Sequence, residues 1–211
     1  RIVEVLKSLR QPEQVYLEPF CGSCWVVADM DGKRIATDLH KDLVIMWGAV
    51  RDGWKPPIHI PEAHYQYLRK QESSALRGFA GFGCSFSGKW FGGYARSCDR
   101  NYASNAANSV LKKGLKLKGV EFAIANYRSL NPKGMLVYCD PPYGVTTKYS
   151  FEFDSQEFWQ VMREWSQNNT VVISEYAAPK DFKVLAEFST KTDMHTNKGK
   201  EPRVERLFQL E

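Results

Sequence analysis

No stretch of the 211 residues approaches the roughly 20 consecutive apolar residues that a bilayer crossing needs, which excludes a membrane span and gives no reason to expect a membrane partner. Nor is a secretory leader expected. Arg1-Ile2-Val3-Glu4-Val5-Leu6-Lys7 carries an early acid, too short an apolar run and no small-residue cleavage site, so a cytoplasmic chain is expected. The 5 cysteines are odd in number and irregular in spacing, which argues against a disulfide framework and for free buried thiols. Cys21-Gly22-Ser23-Cys24 has the spacing of a redox or metal pair. Cys84, Cys98 and Cys139 supply no second close pair, so a four-thiolate zinc site lacks its usual form and no metal is expected. Repeats and low-complexity linkers are absent too. Acidic residues nearly vanish from one region: between Arg77 and Lys118 the only acid is Asp99, set against Arg77, Lys89, Arg96, Arg100, Lys112, Lys113, Lys116 and Lys118. That excess is larger than the net +5 of the whole chain, and it points to an acidic partner.

The chain does contain the makings of one α/β domain with an insertion: 43% hydrophobic, 25% charged and 13% aromatic residues, at a length that buries one sizeable core. Short β-branched or aromatic runs ending in polar or glycine turns predict strands at Gln14 to Glu18, Lys33 to Asp38, Val120 to Asn126, Leu136 to Asp140 and Thr170 to Ser174. Helical periodicity marks Leu39 to Val50 and Gln156 to Ser166, the latter with Ser155 as a good N-cap. Two further runs, Lys183 to Thr192 and Val204 to Leu210, flank a polar loop with His195, Asn197, Gly199 and Pro202 and predict an antiparallel hairpin. Together these make a Rossmann-like α/β fold: a doubly wound, mostly parallel sheet closed by a C-terminal hairpin, with ligands at the carboxyl ends of the strands. The alternation fails across residues 53–118. Pro56, Pro57 and Pro61 open that region, a helix is expected around Glu62 to Gln71, and a glycine- and aromatic-rich stretch follows. It reads as an inserted, mainly helical and loop region between the two halves of the main domain, 1–52 and 119–211.

Tyr138-Cys139-Asp140-Pro141-Pro142-Tyr143 is the strongest chemical signal. A strand runs out at Asp140, two prolines fix the next turn and remove its amide donors, and an aromatic follows. Such a turn offers acceptors and a flat ring. An exocyclic amino group on a nucleobase is a poor nucleophile, because its lone pair is delocalised into the ring. The Asp140 carboxylate and a carbonyl of the proline pair can accept its N–H bonds, freeing the lone pair for a methyl sulfonium, while Tyr143 stacks on the base. The plain alternative is a tight loop with rigid spacers. Val15-Tyr16-Leu17-Glu18-Pro19-Phe20-Cys21-Gly22 joins a strand to an acidic glycine turn, where Gly22 permits close backbone approach. Glu18 there favours a cofactor with a cationic end over a pyrophosphate. Asp38, ending its strand, suits the two hydroxyls of a ribose or, equally, the cap of the next helix. Asn126, at the end of the third strand, borders the expected adenine or simply turns the chain.

These segments resemble the DNA adenine methylase family of amino-methyltransferases, especially its phage-encoded members. The resemblance rests on Glu18-Pro19-Phe20-Cys21-Gly22, on Thr37-Asp38-Leu39, on Asp140-Pro141-Pro142-Tyr143 followed by Thr147 and Tyr149, and on Ser174-Glu175-Tyr176-Ala177-Ala178-Pro179. It implies S-adenosyl-L-methionine as cofactor, held by a site that includes Asp38 and Asp140, catalysis by the tetrapeptide, N6-adenine methylation as in restriction-modification systems, and an insertion that recognises double-stranded DNA. Family members usually open with a tyrosine, a glycine pair and a lysine in a segment that closes over the cofactor. This sequence starts at Arg1-Ile2 without one, and Ser23-Cys24 stands where a further glycine is common.

A base inside a duplex must be extruded before its amino group is reached, and that requires cationic contacts to phosphates. The insertion supplies them through Arg77, Lys89, Arg96, Arg100, Lys112 and Lys113, with Trp90, Phe91 and Tyr94 as stacking or wedging rings or, alternatively, as the insertion's own small core. Two other readings stand beside this one: the same chemistry on cytosine N4 or RNA, and a truncated, catalytically silent DNA-binding remnant.

Overall fold

The computed structural model describes residues 1–142, 153–190 and 203–211. Five short apolar runs become parallel strands: β1 (Tyr16–Glu18), β2 (Arg34–Asp38), β3 (Val120–Ile124), β4 (Leu136–Cys139) and β5 (Thr170–Glu175). β6 (Phe182–Thr190) and β7 (Arg203–Leu210) form the expected antiparallel hairpin, and β7 adds antiparallel to β5. The sheet order is β3-β2-β1-β4-β5-β7-β6, so the winding reverses between β1 and β4 and opens a crevice at their carboxyl ends.

Several strand limits differ from expectation by one or two residues, and two of them have a clear local cause. β1 starts two residues late because the Gln14 N–H turns back to the Gln11 carbonyl and Glu13 is left-handed at φ 57°. β3 stops at Ile124 because the Asn126 side chain accepts the Arg128 N–H and begins a short 3₁₀ turn. β4 stops at Cys139 and leaves Asp140 exposed.

Alternating side chains divide the core between the two faces of the sheet. Tyr16, Ala36, Leu136 and Tyr138 pack with Leu6 of α1 (Ile2–Leu9), which the sequence reading had not foreseen, and with Met46 and Trp47 of α2 (Lys41–Arg51). Leu17, Val137, Val171 and Ile173 pack with Phe158, Trp159, Met162 and Trp165 of α6 (Ser155–Ser166). The cap of α6 is Asp154 rather than Ser155, since the Asp154 carboxylate accepts the N–H groups of Gln156 and Glu157.

The insertion holds α3 (Glu62–Leu68), α4 (Ala75–Gly83) and α5 (Tyr102–Gly114), and its Phe79, Ala80, Phe91, Ala103 and Ala107 belong to the same core as Tyr16 and Ala36. The glycine-rich stretch from Gly78 to Gly83 is helix. Its glycines serve close packing: a Cβ on Gly78 would lie 2.4 Å from the Asp42 carbonyl oxygen of α2. All five cysteines are free, and only Cys98 is exposed. No helix among the described residues is long and apolar enough to cross a membrane.

Candidate functional site

Three carboxylates converge where the sheet reverses direction: Glu18 ends β1, Asp38 ends β2 and Asp140 follows β4. Glu18 is buried, and its carboxyl is pushed up to about 8, first by desolvation and then by the charges of Asp140 and Asp38. The Tyr16 hydroxyl, donating to Glu18 Oε2 at 2.6 Å, and the Val27 backbone N–H oppose that rise. Mutual repulsion of this kind means that the three acids share one region and favour a cation within it.

Asp38 is lodged by two backbone donors. Its Oδ1 accepts the His40 N–H at 2.8 Å and its Oδ2 the Gly22 N–H at 2.9 Å, while burial raises its pKa. It thus steers the entry to α2 and pins the turn after β1 at once. Each oxygen retains a further lone pair, so the helix-start and ribose readings are compatible.

The turn from Phe20 to Cys24 is tightly built. Gly22 lies at φ 42°, a conformation that carries little cost without a Cβ. The Cys21 N–H donates to the Thr37 carbonyl and the Trp47 indole N–H to the Gly22 carbonyl, both at 2.9 Å. Lys113 reaches in from α5 to donate to the Ser23 carbonyl at 2.6 Å, and its ammonium lies 3.9 Å from the Trp25 ring centroid. Beside the turn, Phe20 meets Tyr127 at 5.2 Å and Phe158 at 6.0 Å between ring centroids, making an aromatic wall next to Asn126. The hydroxyl of Tyr127 is buried without a hydrogen-bond partner among the described residues. Trp47, Tyr16 and Tyr127 were not among the site residues expected from sequence, and Lys113, expected as a phosphate contact, is turned inward onto the Ser23 carbonyl. A tyrosine two residues before a strand-end acid is the one local signal that pointed to any of them.

On the β4 side, Pro141 is buried and Pro142 half-buried behind the exposed Asp140. Tyr143, Thr147, Tyr149 and the His195–Pro202 loop lie outside the described residues.

The basic insertion divides into two sets. Arg77 donates to Asp42 Oδ2 at 2.6 Å and to the Leu68 carbonyl, and its guanidinium covers the Trp90 and Phe91 rings at 5.0 and 5.6 Å. Trp90 packs among His40, Phe82 and Phe91, and the Tyr94 hydroxyl donates to the Ile60 carbonyl at 2.7 Å. With Lys113, these residues face the protein's own interior. Lys89, Arg96, Arg100 and Lys112 are exposed, Arg96 in an ion pair with Glu62. Arg96 and Arg100 line an open cleft of about 440 Å³ together with His59, Tyr94, Asn101 and Tyr102, within the insertion and away from the three acids. Among the described residues no His, Cys, Asp or Glu group is arranged to hold a metal ion.

A scan against protein-family models and a search of curated proteins find no match for this chain. Several solved structures share its overall course. An rRNA methyltransferase from Streptomyces viridochromogenes is 14% identical at a TM-score of 0.44, over 98% of this chain and 82% of that one. A putative RNA methyltransferase from Pyrococcus horikoshii is 11% identical at 0.46, over 98% and 80%. A putative methyltransferase from Streptococcus mutans, solved with SAH, is 8% identical at 0.42, over 99% and 96%. At this distance the chemistry has to be read from the chain's own residues.

Proposed function

We propose that the chain is an S-adenosylmethionine-dependent methyltransferase that transfers a methyl group to the N6 amino group of adenine in double-stranded DNA. The observation that carries this reading is the convergence of Glu18, Asp38 and Asp140 on the Phe20–Cys24 turn, with Pro141-Pro142 directly after Asp140.

The residues present fit that cofactor. S-adenosylmethionine bears an ammonium and a sulfonium, and a crevice edged by three carboxylates attracts such a cation and repels a pyrophosphate. Asp38 keeps lone pairs for the ribose hydroxyls, and Phe20 with Asn126 offers a flat, half-buried border for the adenine ring. When bound, the cofactor supplies an electrophilic methyl group. The rest falls to the chain: Asp140 and a carbonyl of the proline pair accept the N–H bonds of the target amino group, turning its lone pair outward, and Tyr143 stacks on the extruded base. Arg100, Lys112 and Lys89 are exposed cations that can meet DNA phosphates, and Arg96 joins them on leaving its surface pair with Glu62.

Incubation with methyl-labelled cofactor and unmethylated DNA, followed by nucleoside analysis, tests the reading. Label in N6-methyladenine is the expected result. Label in cytosine, or only in added RNA, overturns the substrate; no calorimetric heat with the cofactor alone overturns the enzyme and favours a silent DNA-binding chain.

Glu18 gives this site a pH signature. With a pKa of about 8 the carboxyl is mostly protonated at pH 6.5, and an arriving cation favours its ionised form. Cofactor binding should therefore release protons and tighten as pH rises towards 8, by at most about tenfold per pH unit. Calorimetry in two buffers of different ionisation enthalpy measures the proton count. Equal heats in both, or an unchanged pH profile in Glu18→Gln, would refute the part assigned to Glu18.

A further inference from the structure

Lys112 and Lys113 are neighbours in the last turn of α5, yet they face opposite surroundings: Lys112 is exposed, whereas Lys113 is only 9% exposed. The Lys113 ammonium is enclosed by the Trp25 ring at 3.9 Å, the Trp47 ring at 5.3 Å and the Ser23 carbonyl at 2.6 Å. Its one hydrogen bond among the described residues goes to that neutral carbonyl. Burial lowers its pKa, a cost that an apolar side chain filling the same space would avoid. The helix that carries it has no slack. At the next residue a Cβ on Gly114 would come 2.6 Å from Val50 Cγ1, so α5 lies hard against α2.

What Lys113 grips is the turn on which the three acids converge. Gly22 and Cys24 are both left-handed there, at φ 42° and φ 56°, and Cys24 carries a Cβ, so its surroundings must impose that conformation. Three clamps do so. The Cys21 N–H donates to the Thr37 carbonyl of β2, the Trp47 indole of α2 donates to the Gly22 carbonyl, and Lys113 of the insertion donates to the Ser23 carbonyl. The third clamp reaches furthest into the turn, because the Ser23 carbonyl and the Cys24 N–H belong to one rigid peptide plane. That N–H closes the turn by donating to the Cys21 carbonyl at 2.6 Å. Inside the closed turn the Gly22 N–H is held at 2.9 Å from Asp38 Oδ2.

We infer that Lys113 is a positioning residue for the cofactor: acting through the Ser23–Cys24 peptide, it keeps the turn in the shape that sets Gly22 against Asp38. The insertion is thereby part of the cofactor site as well as the nucleic-acid face. This rests on the reading of the turn as the S-adenosylmethionine site. A lysine that merely complemented the α5 dipole could do so from the surface, as Lys112 does, without the cost of burial.

Lys113→Met keeps the length of the stem and removes donor and charge; Lys113→Arg keeps both. Calorimetry of the full chain with S-adenosylmethionine should show about tenfold weaker binding in Lys113→Met, the loss of one charge-assisted hydrogen bond, and near-wild-type binding in Lys113→Arg. In methylation assays the change should fall on the cofactor KM, with kcat at saturating cofactor, duplex affinity and its salt slope unmoved. A packing role alone would lower kcat, duplex affinity and melting temperature together, with no rescue by arginine. A phosphate contact would lower the salt slope by about 1 and leave the cofactor heat unchanged. Either result overturns the inference. Trp25 is 65% exposed, so Trp25→Ala removes one wall of the ammonium's enclosure without opening a buried cavity, and it should weaken the cofactor about threefold. If Lys113→Met does not fold, unchanged cofactor affinity in Trp25→Ala overturns the inference instead. A wild type that gives no heat with the cofactor overturns the cofactor reading and this inference with it; wild-type heat that Lys113→Met reproduces overturns the inference alone.

Discussion

Asp140→Ala is expected to slow methyl transfer by at least about 100-fold while leaving the fold intact, because the carboxylate acts on the amino group only as it is alkylated. Asp140 lies at the exposed end of β4 with Pro141 buried behind it, so its removal opens no buried cavity. Asp140→Asn sharpens the test. The amide keeps the shape and one acceptor but points N–H donors at a group that itself needs acceptors, so it should be nearly as poor as alanine. Single-turnover transfer of labelled methyl groups measures the effect directly; near-normal turnover in either variant would refute the role given to Asp140. A second readout comes from the neighbouring acid. Asp140 helps to hold the Glu18 carboxyl near 8, so its loss should lower the Glu18 pKa and move the pH dependence of cofactor binding to lower pH.

Both acids were legible in the sequence for the same reason. A run such as Leu136-Val137-Tyr138-Cys139 fits only a strand buried on both faces, and the first charged residue after it must sit at the rim of the sheet. Strand order then decides which rims meet, and the alternation of strands and helices limits that order to a few choices. What the sequence did not reveal is which of the basic residues are held by partners far along the chain. Lys113 grips Ser23 across 90 positions and Arg77 grips Asp42 across 35, and no local pattern marks a lysine or arginine whose acceptor arrives from another element. The glycines from Gly78 to Gly83 concealed a helix more directly. Glycine is weak in an isolated helix, so no helix is expected there from sequence; the glycine at 78 suits the packing of α4 on α2, which leaves no room for a Cβ.

Arg77 is where these two kinds of legibility give opposite forecasts. As one of the basic residues of the insertion it reads as a phosphate contact, yet its side chain is 17% exposed and its partner Asp42 only 5%. Asp42 also accepts from the Ser73 hydroxyl and the Ser74 N–H, so the pair is the knot that joins α2 to the start of α4. Removing one member of a buried pair leaves the other charge uncompensated and costs about 3 to 5 kcal/mol, which in a chain of this size lowers the melting temperature by on the order of 10 °C. Arg77→Ala should show that loss, and adding Asp42→Ala should cost far less than the sum of the two single changes, because the stranded charge has then gone too. Arg100→Gln and Lys112→Gln should behave in the reverse way, with the melting temperature unmoved, DNA binding weakened and its salt slope reduced by about 1 each. An Arg77→Ala protein that melts like the wild type but binds DNA poorly would return Arg77 to the nucleic-acid face; the geometry around Asp42 predicts a protein that fails first by unfolding.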